Sequence, residues 1–354
     1  MGANDIYILK ADEIRAVLNG REREILEEVE RAYLAHSVGD TSLPHSTFLR
    51  FPNQPTDRII ALPAYVGGDQ AAGGLKWISS FPANTANGMD RASAVLIVNS
   101  LANGRAEAIM EGSIISAKRT AASAALAARA LHSTPAPEIM GLVGCGLINY
   151  EIVRFCKFVF PGLKRLLLFD TAAGRAESVL PAYKALVQNV TVTHSRDTLF
   201  RASEIISFAT TAATPHVSDL AACPSGCTVL HVSLRDLAPE IILEADNVVD
   251  DPDHVCRAST SVHLAEQKAG NRTFIRCSLG DVLNGSQPPR RSSSGLVVFS
   301  PFGLGILDIA VAKLALRVAQ EQHQGTRITD FHPESWMAVN REVVSEEARQ
   351  EMSA

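Results

Sequence analysis

The sequence predicts an α/β fold in two parts, a doubly wound parallel sheet of Rossmann type and a discontinuous α+β domain built from both ends of the chain. Three observations predict it. The 354 residues exceed what one hydrophobic core usually organises. Strand-like runs alternate regularly with helical patterns, but only beyond the linker HSTPAPE. A glycine turn, GLVGCG, closes the first of those runs.

From the N-terminus, residues 12–36 read as two helices broken at Asn19-Gly20, the second carrying Ile25, Leu26, Val29, Tyr33 and Leu34 at helical spacing. Residues 47–64 read as two short strands, FLRF and RIIALPA, joined by the turn-rich NQPTD. Further strands are expected at 74–80 and 93–99. Residues 111–131, EGSIISAKRTAASAALAARAL, form a helix whose Ala and Ser residues let a neighbouring backbone or flat ligand approach closely. Two prolines in the following linker end it.

Beyond the linker, IMGLVG, RLLLFD, VTVTH, EIISFAT, TVLHVSL and NVVDD are successive strands of a parallel sheet that closes near residues 297–300. The apolar helix at 306–322 follows the last strand and is expected to return to the first domain. The domains are therefore placed at 1–131 with 306–354 and at 132–305. The run RRSSSG (290–295) reads as one mobile loop, and 325–354 as a polar tail, docked or frayed.

A composition of 46% hydrophobic and 20% charged residues is that of a globular protein and excludes a disordered or fibrous one. A net charge of −5 offers no basic excess for phosphates, which argues against nucleic acid as the main partner. Asp5, Lys10, Asp12, Glu13 and Arg15 interrupt the start of the chain, so no signal peptide is read there. No apolar run reaches the roughly 18 residues of a spanning helix. A cytoplasmic location away from membranes is expected, with the six scattered cysteines reduced. Cys223 with Cys227, and His254 with Cys256, lack the paired spacing of structural zinc, so no metal is expected.

Gly144-x-Gly146-x-x-Asn149 follows an apolar strand and precedes a helix, the context of a dinucleotide fingerprint. Gly144 permits the tight turn, Gly146 lets the backbone approach a pyrophosphate, and the amides of Leu147 and Ile148 at the helix start face the anion. Asn149 replaces the third glycine and weakens the pattern. The next strand ends in Asp170, whose carboxylate would bind ribose hydroxyls and repel a 2′-phosphate, which selects NAD over NADP. An ordinary βα turn with an acidic strand end is the competing reading.

Three other residues can carry chemistry. Lys76 lies on a strand behind two glycines, with an exposed strand lysine as the alternative. Arg119 lies among small residues on the Ala/Ser helix, where a guanidinium can clamp a carboxylate, while its neighbour Lys118 reads as a solvated helix charge. Asp236 follows a strand end, near Ser233, where an open parallel sheet binds ligands; it can act as a base or simply cap the next helix. Gly303, in FSPFGLG, can wall the nicotinamide pocket or belong to a plain connection. His231 reads as a core residue. No Gly-x-Ser-x-Gly elbow or HExxH motif is present.

Taken together, KWISSFPANTANGMDRASAVLIVN, EGSIISAKRTAASAALAA, GCGLINYEI, VSLRDLAPEIIL and FSPFGLGILDIAVAKL resemble the ornithine cyclodeaminase/mu-crystallin family from about residue 9 to 322, nearest to its 2,3-diaminopropionate-forming dehydrogenases of siderophore and antibiotic pathways. The resemblance implies NAD-dependent oxidation of N-[(2S)-2-amino-2-carboxyethyl]-L-glutamate and hydrolysis to 2-oxoglutarate and L-2,3-diaminopropionate, by a homodimer joined through the first domain. It implies substrate contacts for Lys76 and Arg119 and a catalytic carboxylate at Asp236. The family's Pro-x-Arg is Pro44-His45-Ser46 here, so Arg50 is expected to replace the missing ligand, with Arg58 as a second candidate and Arg91 completing an anion cradle. Alternatives are an ornithine or lysine cyclodeaminase, an alanine dehydrogenase, a ketimine reductase, or a mu-crystallin-like binding protein without turnover.

Overall fold

The computed structural model describes residues 4–333. The first sheet contains β1 (Ile6–Leu9), β2 (Thr41–Ser42), β3 (Thr47–Phe51), β4 (Gln54–Val66), β5 (Ala72–Ser80), β6 (Ala92–Asn99) and β7 (Ala106–Glu111). Helices α1 (Ala11–Leu18) and α2 (Glu22–Ser37) follow β1, and α3 (Ser113–Leu131) follows β7. The second sheet is β8 (Ile139–Val143), β9 (Arg165–Phe169), β10 (Asn189–Val192), β11 (Ile205–Phe208), β12 (Thr228–His231), β13 (Asp246–Val249), β14 (Ile275–Ser278) and β15 (Val297–Ser300). Its helices are α4 (Leu147–Val159), α5 (Arg175–Lys184), α6 (Arg196–Ala202), α7 (Pro239–Glu244), α8 (Pro252–Val255), α9 (Ser261–Ala269) and α10 (Leu279–Leu283). Last come α11 (Gly305–Glu321) and β16 (Thr326–Ile328).

The second sheet is wholly parallel, in the order β10-β9-β8-β11-β12-β15-β13-β14. Order reverses between β8 and β11, so the crevice beyond their carboxyl ends is the switch point where such sheets bind ligands. The first sheet runs β16-β1-β7-β6-β5-β4-β2, with β3 also on β4. Its pairs are antiparallel except β1 with β7.

Helix α11 leaves β15 and packs against β4, β5 and β6 of the first sheet and against α2. Helix α3 lies at the seam, touching α2, α4 and α11 as well as β12 and β15. All its alanines but Ala130 are buried, which is what allows these five elements to crowd one helix. One apolar core runs from Leu9 through these helices to Val318, and a second covers the other face of the parallel sheet.

Several local expectations need correction. The stretch NQPTD is not a connecting loop, because β4 already begins at Gln54 and pairs with β3 there. β1, β7 and β14 were not expected; β1 and β14 have four residues each, too few to show a clear period. The RRSSSG run is anchored, since Arg290 donates to Leu131 O, Thr228 Oγ1 and Cys227 O, and the Arg291 amide donates to Asp246. The tail is not uniformly irregular, because β16 pairs with β1; residues 334–354 lie outside the described residues. All six cysteines are free, and no helix among the described residues is long and apolar enough to cross a membrane.

Candidate active site

The glycine turn joins β8 to α4 at the switch point. Gly144 has φ +88°, and a Cβ there would stand 2.5 Å from the carbonyl oxygen of Ala209, beyond β11, so only glycine fits. A Cβ at Gly146 would meet nothing within 4 Å, and that side is open. No side chain caps α4, so the Leu147 and Ile148 amides of its first turn have no helical partner and can meet an anion. Asp170 accepts from the Cys145 amide at 2.8 Å and the Ala172 amide at 2.9 Å, which fixes its carboxylate beside the turn. This cradle fits a dinucleotide with an unphosphorylated ribose.

Asn149 explains its own departure from the glycine pattern. The side chain is fully buried and donates to Val143 O (3.1 Å) and Gly144 O (2.6 Å), while its Oδ1 accepts from Ser207 Oγ at 2.7 Å. It clasps the ends of β8 and β11 together across the crevice. A third glycine would leave those groups without partners.

Lys76 is buried on β5, not exposed. Its Nζ donates to Asp308 Oδ2 at 2.6 Å, and Arg119 Nε donates to Asp308 Oδ1 at 3.0 Å. Ser116 Oγ lies 3.4 Å from Lys76 Nζ. Two cations thus share one fully buried carboxylate, leaving one positive charge in excess. Burial, then the neighbouring Arg119, lower the Lys76 pKa to about 8 against the pull of Asp308. The same cations hold the Asp308 carboxyl below the usual range despite its burial. Lys118, expected in solvent, is buried against α4 with its Nζ 3.6 Å from Glu151.

Gly303 ties this cluster to the parallel sheet. Its φ is +96°, and a Cβ there would lie 3.0 Å from Arg119 Nη1, so the loop after β15 can lie against the guanidinium only without a side chain. Buried Asp250 accepts from the Phe302 amide (2.9 Å) and the Gly303 amide (2.6 Å) and holds that loop. Burial raises the Asp250 pKa to about 6. Beside Gly303, Phe302 lines a cavity of about 220 Å³ together with Ser46, Phe48, Arg50, His254, Arg257 and Ala258. Arg91 approaches from the first sheet, its Nη1 2.8 Å from Ser80 Oγ.

Asp236 does not present a free carboxylate. It is completely buried, and its oxygens accept from Thr210 Oγ1, Ser233 Oγ and, at 3.1 Å, His216 Nε2, with His231 Nε2 at 3.4 Å. Burial alone would raise its pKa, but His231, Ser233 and Thr210 outweigh it and hold the group well below the usual carboxylate range. A carboxylate so acidic and so fully engaged takes up a proton near neutral pH only when these hydrogen bonds rearrange. Ser233, expected at the cofactor, donates to Asp236. His231 is a core residue, bonded to Ser300 Oγ at 3.2 Å.

Sequence reasoning missed Asp308 and Asp250. The available signal for Asp308 was one carboxylate inside the otherwise apolar GILDIAVAKL. The available signal for Asp250 was an acidic pair closing an apolar strand.

A switch-point cradle for a dinucleotide beside a buried lysine–aspartate–arginine cluster defines an NAD-dependent oxidoreductase, here acting on a carbon–nitrogen bond. The chain belongs to the ornithine cyclodeaminase/mu-crystallin family, whose profile matches residues 7–323. It is 26% identical over 337 residues to the N-((2S)-2-amino-2-carboxyethyl)-L-glutamate dehydrogenase of Staphylococcus aureus, covering 93% of this chain and 99% of that one. It is also 26% identical to the alanine dehydrogenase of Archaeoglobus fulgidus, over 92% and 99% of the two chains. Among solved structures, the Δ1-pyrroline-2-carboxylate reductase of Thermococcus litoralis, in complex with NADH and L-proline, superposes with a TM-score of 0.85. That chain is 25% identical, with coverage of 91% of this chain and 100% of its own.

Proposed function

We propose that the enzyme oxidises N-[(2S)-2-amino-2-carboxyethyl]-L-glutamate with NAD and hydrolyses the product to 2-oxoglutarate and L-2,3-diaminopropionate, for siderophore or antibiotic assembly. One observation carries this reading: the Lys76–Asp308–Arg119 cluster meets, through Gly303 and Phe302, a cavity whose walls hold arginines and no carboxylate. A diamine such as ornithine would bring its distal ammonium against guanidinium groups. A tricarboxylic secondary amine brings carboxylates there. The likeness to the staphylococcal dehydrogenase supports the same substrate.

NAD, held at the Gly144–Ile148 turn and Asp170, would supply the hydride acceptor for the glutamate Cα. Arg119, steered by Asp308, holds the adjoining carboxylate. Hydride loss from the neutral amine leaves an iminium carbon. Neutral Lys76 takes a proton from the water that adds to that carbon and gives it to the nitrogen; as the C–N bond breaks it takes the remaining hydroxyl proton, leaving the carbonyl, and passes it to the departing amine. Asp236 acts as a positioning residue, fixing the turn after β12 to Thr210 at the crevice. The apolar outer face of the first sheet joins two copies into a homodimer.

The test is product identification. The purified enzyme is incubated with NAD and either the conjugate, ornithine, lysine or alanine, and NADH absorbance is followed alongside mass spectrometry. NADH with equimolar 2-oxoglutarate from the conjugate alone is expected. Proline or pipecolate from the diamines would make it a cyclodeaminase, and no NADH with any of them would favour a binding protein.

A further inference from the structure

Resting on that substrate reading, we propose that Arg58, Arg235 and Arg257 join Arg50 in a carboxylate-binding subsite that spans both sheets and selects substrates with carboxylates distal to the reacting amine. Arg50 and Arg58 are direct partners across β3 and β4, and Arg58 in turn faces Ser80 on β5. Like charges placed directly opposite on antiparallel strands destabilise the pair. Here the pair stands at a cavity wall, and Arg50 lines that cavity directly.

The parallel-sheet side supplies the opposing wall. Arg257 lines the cavity opposite Arg50, and Arg235 donates through Nη2 to the carbonyl of Ala258, another wall residue, at 2.7 Å. Arg91, anchored on Ser80, closes the ring beside Arg58. Among the described residues, none of these five arginines has a carboxylate within ion-pairing distance, whereas Lys76 and Arg119 are both neutralised in part by Asp308. The guanidinium of Arg58 is pushed down from its ordinary pKa by burial, then by Arg235, Arg91 and Arg50, so the charges crowd one another. Such crowding is relieved by bound anions.

The spacing suits a two-ended substrate. Lys76 and Ser80 lie on the same face of β5, so the Lys76 and Arg58 positions are about 13 Å apart along the strand. An extended conjugate of two amino acids, together with the reach of a long side chain at either end, spans a gap of this order. The cluster at Lys76 has charge for one carboxylate. The arginine ring has charge for the rest.

A ladder of simple acids tests this on the NAD-loaded enzyme: butyrate, glutarate and tricarballylate, titrated by calorimetry. Each added carboxylate is expected to tighten binding about tenfold, the scale of a charge-assisted hydrogen bond. R257Q, at an exposed position, and R58Q are each expected to weaken tricarballylate about tenfold and butyrate less than about twofold. Thermal unfolding and NADH binding report on folding, and R257Q decides the matter if R58Q does not fold. Affinity indifferent to carboxylate number, or tricarballylate binding unchanged in R257Q, would overturn the subsite. A steep ladder in an enzyme that ignores the glutamate conjugate would support the subsite and sink the substrate assignment.

Discussion

At Lys76 two opposing effects meet: Asp308 favours the ammonium, while burial and Arg119 disfavour it, and burial wins. The neutral amine, which is the form that can take a proton, therefore exists above about pH 8. We expect kcat/KM to climb with pH through that value and then level; a flat profile between about pH 6 and 9 would remove Lys76 as the base. K76M is expected to lose at least about 100-fold in turnover, with NADH binding retained in fluorescence titration. Asp308 carries a different burden. D308A would strand two buried cations and is expected to cost about 3–5 kcal/mol in denaturant unfolding, while K76M costs less because Arg119 still pairs the carboxylate. Lys76 and Arg119 were legible because their sequence surroundings, glycines and alanines, leave room for a ligand. Asp308 was not, since one acid in the first turn of a helix reads equally well as a partner of the helix dipole.

At the level of elements, the β8–α4 turn shows where a pattern misleads. The Gly144 and Gly146 positions and the strand-end Asp170 were legible because each answers a local backbone or charge requirement. Asn149 read as a weakness, although its amide satisfies carbonyls contributed by two strands, a tertiary role that no local spacing encodes. N149A should leave the Ser207 hydroxyl and the strand-end carbonyls unpaired in a dry site, lowering stability by about 1–3 kcal/mol and weakening NADH. Unchanged thermal unfolding would show that the clasp is dispensable. D170S removes the carboxylate that would meet a 2′-phosphate, so the ratio of NAD to NADP affinity should fall about tenfold or more. Asp236 was legible by its place after β12, whereas its surroundings were not, because the four groups around it come from the connection after β11 as well as from its own strand end.

At the level of the whole molecule, the texture of the sequence already separated a region of alternating strands and helices from one without that order, because parallel sheets impose that alternation. What crosses between them rested on fewer signals: α11 follows the last strand of the second sheet yet packs on the first, and its place after that strand and its apolar stripe were the two hints. The outer face of the first sheet is the remaining large-scale feature. Trp77 and Val95 are direct cross-strand partners there, Leu49 and Tyr65 share the face, and all four are exposed. Strand alternation places Lys76 on the opposite face, so this surface is separate from the buried cluster. A contiguous apolar sheet face of this kind calls for a partner, and a second copy related by a two-fold axis would present the same face. We expect light scattering to give the mass of a dimer and W77E/V95E to give that of a monomer, because each substitution enters the two-fold interface twice and buries an unpaired charge. NADH binding should survive in that monomer, since the cradle is formed by the other sheet. A wild-type chain that is monomeric at micromolar concentration, or a W77E/V95E variant that remains dimeric, would place the interface elsewhere.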